Sequence, residues 1–344
     1  MAKYEIIDGV AILPEGIEMI EDKAFWCCKE LKRVVIPQGM RRIGESAFFG
    51  CENLEVVELP EWLEVIGGGA FWDCSSLKEL TLPQWVKRIE RWAFCGCKSL
   101  QNLSIPSSVT HIEDGAFSGC SSLVRIKVDS NNPVYDSRED CNAMIHTESN
   151  ALISGCSNTI IPPSVTSIGD SAFSGCTSLT QINLPPSVTS IGEGAFRRCT
   201  SLTHISLPPS VTSIGEGAFL GCTSLTHISL PPSVTSIGDS AFSGCTSLTK
   251  ISLPPSVTSI EKRAFRDCTS LTQISLPPSV TSIGYSAFMD CTSLTHISLP
   301  PSVTSIGREA FLGCESLTLV KVSKNTDLAK DAFWNCRKVK IERY

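Results

Sequence analysis

The sequence lacks any run of apolar residues long enough to cross a lipid bilayer, which takes about 20 residues in a helix. Its first residues hold no apolar core of the length found in signal peptides. Basic residues are not in excess either, since 29 Lys and Arg stand against 35 Asp and Glu, for a formal net charge of −6. We therefore expect no membrane-spanning segment and no nucleic-acid partner, because nucleic-acid binding depends on clustered positive charge.

The sequence also lacks the residue spacings that mark common chemical sites. No C-x-x-C pair, the usual sign of a zinc site, occurs among its 17 cysteines. The repeated serines have no acid–base pair beside them at a fixed spacing, which nucleophilic catalysis would require. We therefore predict no catalytic site, no metal site and no cofactor.

What the sequence does contain is a repeat, most visible in its phenylalanines. Thirteen of the 14 follow an Ala and precede a Cys by three residues. The spacing is 23 residues, except for a final step of 22 and one interruption after Cys120. This Phe ladder comprises Phe25, Phe48, Phe71, Phe94, Phe117, Phe173, Phe196, Phe219, Phe242, Phe265, Phe288, Phe311 and Phe333. Such self-similarity predicts a solenoid, in which each unit buries its apolar face only against its neighbours.

One repeat illustrates the local structure that the pattern predicts. Leu202, Ile205 and Leu207 fit L-x-x-L-x-L, the pattern of a short strand. Because side chains alternate along a strand, Ile205 and Leu207 are expected to face inward. His204 and Ser206, which flank Ile205, are expected to face solvent.

The rest of the repeat is expected to be a second strand and a turn. Residues Val211–Ile214 follow two prolines and are interpreted as another short extended segment. Gly215–Cys222 is interpreted as a turn with about one helical turn. Its first glycine is replaced by Glu in other repeats, for example at Glu90 and Glu261, so this position is not expected to need a positive φ.

The unit L-x-x-I-x-L-P-x-x-V-x-x-I-G-x-x-A-F-x-x-C resembles the BspA-like leucine-rich repeats, also called the Treponema pallidum type. The resemblance covers almost the whole chain, with the Ala-Phe pair and the Cys in register. It implies a right-handed leucine-rich-repeat solenoid, mainly β, with one short parallel strand per unit and short turns or single helical turns on the convex side. For many members it also implies surface display and adhesion to host proteins or other bacteria.

We interpret residues 1–344 as one solenoid with five segments. They are an N-terminal hairpin cap (1–13), divergent repeats (14–128), an inserted hairpin-like segment (129–159), near-identical repeats (160–322) and a C-terminal repeat (323–344). Asp8-Gly9 between two apolar segments is the signal for the cap. In the insertion, Ala143–His146 and residues 151–153 flank a polar turn and predict a projecting hairpin. We favour a structural elaboration there, with a binding protrusion as the alternative.

The candidate contact surface is the outward side of the strands in the near-identical repeats. Within this uniform block, one outward strand position still varies, and polar residues stand two positions after it. Either recent duplication or sequence idealisation explains the uniformity. The predicted ligand-binding residues are Gln181, Asn183, His204, Ser206, His227, Ser229, Lys250, Ser252, Gln273, Ser275, His296 and Ser298.

For the cysteines, histidines and tryptophans we weigh a structural role before a chemical or binding role. The Cys that follows each ladder Phe is interpreted as a buried free thiol, because parallel stacked Cβ vectors do not converge as a disulfide requires. Cys141 and Cys156 flank the predicted hairpin and could pair across its base if the protein is exported. His204 and His227 are neighbours without a third metal ligand. Trp26, Trp72, Trp92 and Trp334 are expected to pack on the back of the solenoid, whereas Trp62 and Trp85 could anchor a partner.

Together these features predict a non-enzymatic binding protein whose ligand is a protein or another macromolecule. The preferred function is adhesion or recognition through the concave strand face. The alternative is an intracellular scaffold or inhibitor-type array. The resemblance favours a secreted or cell-surface location, and a cytoplasmic one is expected if Met1 is the native start.

Overall fold

The computed structural model describes residues 4–344, so the first three residues of the expected N-terminal cap lie outside it. The chain divides into two compact units. Unit 1 runs to Pro162 and includes Asp170–Ser178, whereas unit 2 comprises Pro163–Gly169 and Leu179–Tyr344. Each unit is a stretch of β-solenoid, so the expected fold class is confirmed.

Two short strands recur in most repeats of unit 1. We call the strand before the proline the front strand and the strand after it the rear strand. The strands of unit 1 are β1 (Ile6–Ile7), β2 (Val10–Ile12), β3 (Met19–Ile20), β4 (Arg33–Val35), β5 (Arg42–Ile43), β6 (Val56–Glu58), β7 (Val65–Ile66), β8 (Arg88–Ile89), β9 (Asn102–Ile105), β10 (His111–Ile112), β11 (Arg125–Val128), β12 (Tyr135–Asp136), β13 (Ala143–His146) and β14 (Ala151–Gly155).

Neighbouring repeats of unit 1 pair in parallel and in register. The front strands form the sheets β1-β2-β4-β6 and β11-β9, and the rear strands form β10-β8-β7-β5-β3. Strand β1 is the exception, because it pairs antiparallel with β2, with Ile6 opposite Ala11. Asp8 and Gly9 both have positive φ, as the two central residues of a type I′ hairpin turn require. The expected cap hairpin is therefore confirmed.

Unit 2 repeats the same arrangement with greater regularity. Its rear strands are β15 (Ser167–Ile168), β17 (Ser190–Ile191), β19 (Ser213–Ile214), β21 (Ser236–Ile237), β23 (Ser259–Ile260), β25 (Ser282–Ile283), β27 (Ser305–Ile306) and β29 (Asp327–Leu328). Its front strands are β16 (Gln181–Asn183), β18 (His204–Ser206), β20 (His227–Ser229), β22 (Lys250–Ser252), β24 (Gln273–Ser275), β26 (His296–Ser298), β28 (Leu319–Val322) and β30 (Lys340–Arg343).

The core of each unit consists of apolar side chains from equivalent positions of successive repeats, stacked on one another. Ile205 and Leu207 are buried, as the alternation predicted, while His204 and Ser206 are exposed. The ladder Phe rings stack almost parallel, and the Phe219 and Phe242 centroids are 5.4 Å apart. Burying one such side chain contributes about 1.5–3 kcal/mol, so the ring stacks supply much of the cohesion between repeats.

The segment around each ladder Phe is a series of tight turns rather than the expected helical turn. Gly217 has a positive φ, which ends any helix at this point, and its N–H donates to the Asp239 carbonyl of the next repeat. Phe219 N–H donates in the same way to the Ala241 carbonyl. Alternate N–H groups of this segment therefore donate to the next repeat, whereas those of Ala218 and Leu220 donate to carbonyls three residues earlier in their own repeat. Gly215 does not have a positive φ, which confirms the expectation for that position.

The insertion contains the expected hairpin, but the hairpin packs into the core of unit 1. Strands β13 and β14 pair antiparallel, and β12 adds a third strand beside β13. One 3₁₀ helix, Arg138–Asp140, precedes β13. Met144 and Leu152 are fully buried, and the Gly155 N–H donates to the Ala172 carbonyl. The hairpin does not project, because its apolar side chains continue the core.

No helix among residues 4–344 is long and apolar enough to span a membrane.

Candidate functional site

The residues predicted to bind a ligand form two adjacent columns on the front strands of unit 2. All twelve are exposed. Parallel pairing places Gln181 opposite His204 and His204 opposite His227, while Ser206 lies opposite Ser229. Further along, Gln273 lies opposite His296 and Ser275 opposite Ser298. Since paired strands are about 4.8 Å apart, the columns present a polar group at each repeat. We call these twelve residues the polar columns.

Threonine hydroxyls beside the polar columns orient two of the histidines. The Thr226 hydroxyl donates to the Thr203 carbonyl at 3.3 Å. Nδ1 of His227 lies 3.0 Å from the Thr226 hydroxyl oxygen. The tautomer of the His227 ring determines which of the two atoms donates in this contact. His296 makes the equivalent contact with Thr295 at 2.9 Å.

A shallow depression of about 320 Å³ lies within the polar columns. Six of the twelve residues line it, and the backbone of Ile251 and Ile274 passes beneath them. The lining residues from the polar columns are Lys250, Ser252, Gln273, Ser275, His296 and Ser298. Its chemistry is that of a cation, amides, hydroxyls and an imidazole, which suits hydrogen bonding to a polar surface.

The two neighbouring histidines, His204 and His227, have Gln181 and Lys250 on either side. Neither neighbour is a typical zinc ligand. Among residues 4–344 there is no group of three or more His, Cys, Asp or Glu that could hold a metal ion.

The thiols of the Cys ladder have a role that the sequence did not suggest. The Cys51 thiol donates to the Phe25 carbonyl at 3.0 Å, and the Cys245 thiol donates to the Phe219 carbonyl at 3.2 Å. Burial raises the pKa of the Cys51 thiol to about 12, so it remains protonated and able to donate. Cys141 and Cys156 are also free thiols, and each donates to a backbone carbonyl of its own segment.

Three of the four tryptophans expected to pack on the back of the solenoid, Trp26, Trp92 and Trp334, are exposed. Trp26 is 44% exposed and stacks on Phe49 with ring centroids 4.3 Å apart. Trp72 and Trp92 continue this row, with centroids 5.3 Å apart. Trp334, in unit 2, is 69% exposed. The rings of the unit 1 row pack on one another, but they do so at the surface.

Unit 1 contains a larger depression that sequence reasoning missed. It has a volume of about 870 Å³ and lies on the front strand β6 and on the next repeat, where residues 78–83 form no strand. Glu58 and Glu79 are among its lining residues. The sequence contains a sign of this depression, because the residue type at the outward strand positions differs from one divergent repeat to the next.

Comparison with known families and structures gives a consistent result. The family model for the BspA type leucine rich repeat region, with six copies of the repeat, matches residues 18–138, 149–242 and 222–340. No curated protein matches the chain significantly.

The solved structures that are similar to this chain include three bacterial proteins. A leucine-rich repeat protein from Eubacterium ventriosum has a TM-score of 0.76 at 22% identity, covering 98% of this chain and 84% of that one. A leucine rich cell surface protein from Faecalibacterium prausnitzii has a TM-score of 0.62 at 31% identity, covering 84% and 78%. The pneumococcal vaccine antigen PcpA has a TM-score of 0.56 at 22% identity, covering 97% and 74%.

Proposed function

Because the chain belongs to the BspA-type leucine-rich-repeat family, we propose that it is a non-enzymatic solenoid that binds a partner macromolecule. The contact surface in this proposal is the polar columns of unit 2. The observation that supports it most directly is their geometry: twelve exposed polar residues stand in register on paired parallel strands. A repeated surface of this kind suits many modest contacts with a large ligand.

Within this proposal the partner is recognised at a cell surface, in adhesion. Support comes from the Faecalibacterium protein, which is described as a cell surface protein. PcpA is described as a vaccine antigen, a description that fits an exposed protein. An extended polar surface with hydroxyls, imidazoles and amides fits a folded protein partner, because such interfaces contain about one hydrogen bond per 100–200 Å².

The test is a pull-down from a detergent extract of epithelial-cell surface proteins with the full chain as bait. The test variant combines His204→Ala, His227→Ala, Lys250→Ala and His296→Ala. All four side chains are exposed, so we expect native thermal stability and at least a tenfold loss of the captured partner. The control variant combines Arg197→Ala, Glu216→Ala and Lys262→Ala, which are exposed in the turns of the same unit. A partner retained equally by both variants would contradict the assignment of the polar columns.

A further inference from the structure

The front strand face of unit 1 differs from the polar columns in being heterogeneous. Its outward positions hold Arg33 and Val35 on β4, Val56 and Glu58 on β6, Glu79 in the next repeat, and basic residues further along the unit. The positions between the acidic and basic residues are neutral and polar, at Asn102 and Ser104, and the basic residues are Arg125 and Lys127. All of these side chains are exposed. The face therefore has an acidic region, with exposed valines and Arg33 beside it, and a basic region further along.

The acidic region coincides with the depression of about 870 Å³. Its lining includes an exposed apolar side chain, Val56, which is 45% exposed. Four carboxylates line it against one lysine, Lys78, which forms an ion pair with Glu55 at 3.3 Å. Of the other three carboxylates, Glu58 forms an ion pair with Arg33, and Glu61 and Glu79 leave the lining with an excess of negative charge. An apolar lining with excess negative charge is complementary to a side chain that has both an aliphatic stem and a positive end.

An exposed pair of indoles lies at the edge of this depression. Trp62 and Trp85 follow the lining residues Glu61 and Gln84 directly in the sequence. Their ring centroids are 5.1 Å apart, and the residues are 43% and 45% exposed. Large exposed aromatic residues are rare on free surfaces and frequent at the energetic centres of interfaces, and their faces also attract cations.

The basic region has a depression of its own, of about 420 Å³. Arg125 and Lys127 line one side of it, and the insertion supplies Ser137, Asp140 and Asn142. The hairpin insertion therefore shapes the front face at this end of unit 1 although it does not project as a separate arm. Two cations beside hydroxyl and amide groups are complementary to a carboxylate, while Asp140 restricts where that carboxylate can lie.

We propose that this face of unit 1 is a docking surface for an extended segment of a partner protein. In that segment, basic residues are followed by acidic ones. Glu79 and Arg125 are two repeats apart in the same outward column, which corresponds to about 10 Å at a strand spacing of ~4.8 Å. An extended peptide rises about 3.3 Å per residue, so the centres of its basic and acidic groups are three residues apart. The basic group, with an apolar neighbour, occupies the larger depression beside the tryptophans. This proposal does not depend on the polar columns.

The test uses two fluorescein-labelled synthetic peptides of identical composition and the full chain. One peptide contains Arg-Val-Arg-Glu-Ser-Glu at its centre, with the charges segregated, and the other contains Arg-Glu-Val-Ser-Glu-Arg, with the charges mixed. We expect saturable binding of the segregated peptide, at least tenfold tighter than that of the mixed peptide by fluorescence anisotropy. Because the contacts are ionic, the difference should shrink as the salt concentration rises.

Variants assign the binding to this face. Glu58→Lys combined with Glu79→Lys should remove the preference for the segregated peptide, and Trp62→Ala combined with Trp85→Ala should weaken its binding at least fivefold. His204→Ala combined with His227→Ala is the control and should leave peptide binding unchanged, which separates this proposal from the proposed function of the polar columns. Equal affinities for the two peptides, no saturable binding, or insensitivity to the Glu58 and Glu79 changes would overturn the proposal.

Discussion

Two side chains in each repeat, the ladder Phe and the Cys after it, hold the neighbouring repeats together at the residue scale. The Phe ring stacks on the ring of the next repeat, and the thiol satisfies a Phe carbonyl. The Phe219 carbonyl also accepts from the Cys222 N–H of its own repeat, so the Cys245 thiol adds a second hydrogen bond, and this one comes from the next repeat. The sequence pattern had indicated only a small core residue at the Cys position.

The Phe ladder leads to a first prediction. Phe242 is fully buried between Phe219 and Phe265, with centroid distances of 5.4 and 5.6 Å. Phe242→Ala should therefore lower the free energy of unfolding by about 3–5 kcal/mol, measured by urea denaturation.

Phe49 is the matched control for this change, because it is the one Phe off the ladder and lies at the surface between Trp26 and Trp72. Phe49→Ala should cost well under half as much as Phe242→Ala. Similar losses for the two variants would mean that ring burial does not dominate the cohesion between repeats.

The insertion of unit 1 behaves as part of the core at the scale of the elements. Tyr135, from β12, is buried, and its hydroxyl accepts a hydrogen bond from the Ile112 N–H of the preceding repeat at 3.0 Å. Asn132 makes a second connection: its amide nitrogen donates to the carbonyls of Pro106 and Val109 at 2.8 and 2.9 Å. The insertion is thus joined to the preceding repeat by side-chain hydrogen bonds, in addition to the packing of its apolar side chains.

Asn132 leads to a second prediction. Its side-chain oxygen also accepts from the backbone N–H groups of Val134 and Tyr135, so one buried amide makes four hydrogen bonds. Asn132→Ala should lower the free energy of unfolding by about 2–4 kcal/mol, because it leaves buried backbone groups without partners. Hydrogen exchange at β12 should accelerate in parallel.

Asn131→Ala is the control, since Asn131 is exposed and its side chain contacts only Asp129 in the same turn. Its effect should stay within about 0.5 kcal/mol, as is usual for exposed positions. An equal loss for the two asparagines would indicate that the turn, rather than the links to the preceding repeat, stabilises the insertion.

The effects of the buried ladder thiols on stability add together across the whole molecule. Burial raises the pKa of Cys51, Cys176 and Cys222 to about 12, from an ordinary value of 9.0. The direction is the same for Cys245 and Cys268, also because of burial. These thiols are neutral in the folded state at pH values where the same groups ionise in the unfolded chain.

The sign of the pH effect follows, and it is the third prediction. A thiol whose pKa is raised on folding contributes its full stabilisation at pH values below the pKa of the unfolded chain. This contribution is lost as the pH rises from about 9 towards 12. Each such thiol should lower the free energy of unfolding by about 1.4 kcal/mol per pH unit in this range. Denaturation midpoints measured under reducing conditions between pH 8 and 10.5 should therefore fall steeply.

The triple variant Cys74→Ala, Cys97→Ala and Cys245→Ala is the comparison for this slope, because Lys and Tyr also titrate at alkaline pH. It should be less stable than the parent at pH 8 but should lose stability less steeply above pH 9. Parallel pH curves for the two proteins would contradict the link between thiol burial and alkaline unfolding.

Much of this protein could be predicted from its sequence because each repeat is a local pattern copied many times. A period of 23 residues predicts stacking, and alternation within L-x-x-L-x-L predicts which side of a strand is buried, as Ile205 and His204 confirm. Asp8-Gly9 predicted the cap hairpin for the same reason, since the turn depends on the φ values of two adjacent residues. The polar columns follow from alternation and remain a proposal as a binding surface.

Only the tertiary structure decided the features that depend on what the neighbouring repeat supplies. The thiol-to-carbonyl bonds join residues 26 positions apart in sequence, as Cys51 and Phe25 illustrate. The turn at Gly217 forms because its N–H finds a carbonyl in the next repeat, which local preference for a helical turn did not reveal. The insertion packs into the core through Asn132, and the depression beside Trp62 and Trp85 is lined by residues of three successive repeats. These features arise from contacts across repeats, whereas periodicity describes only the position of a side chain within its own repeat.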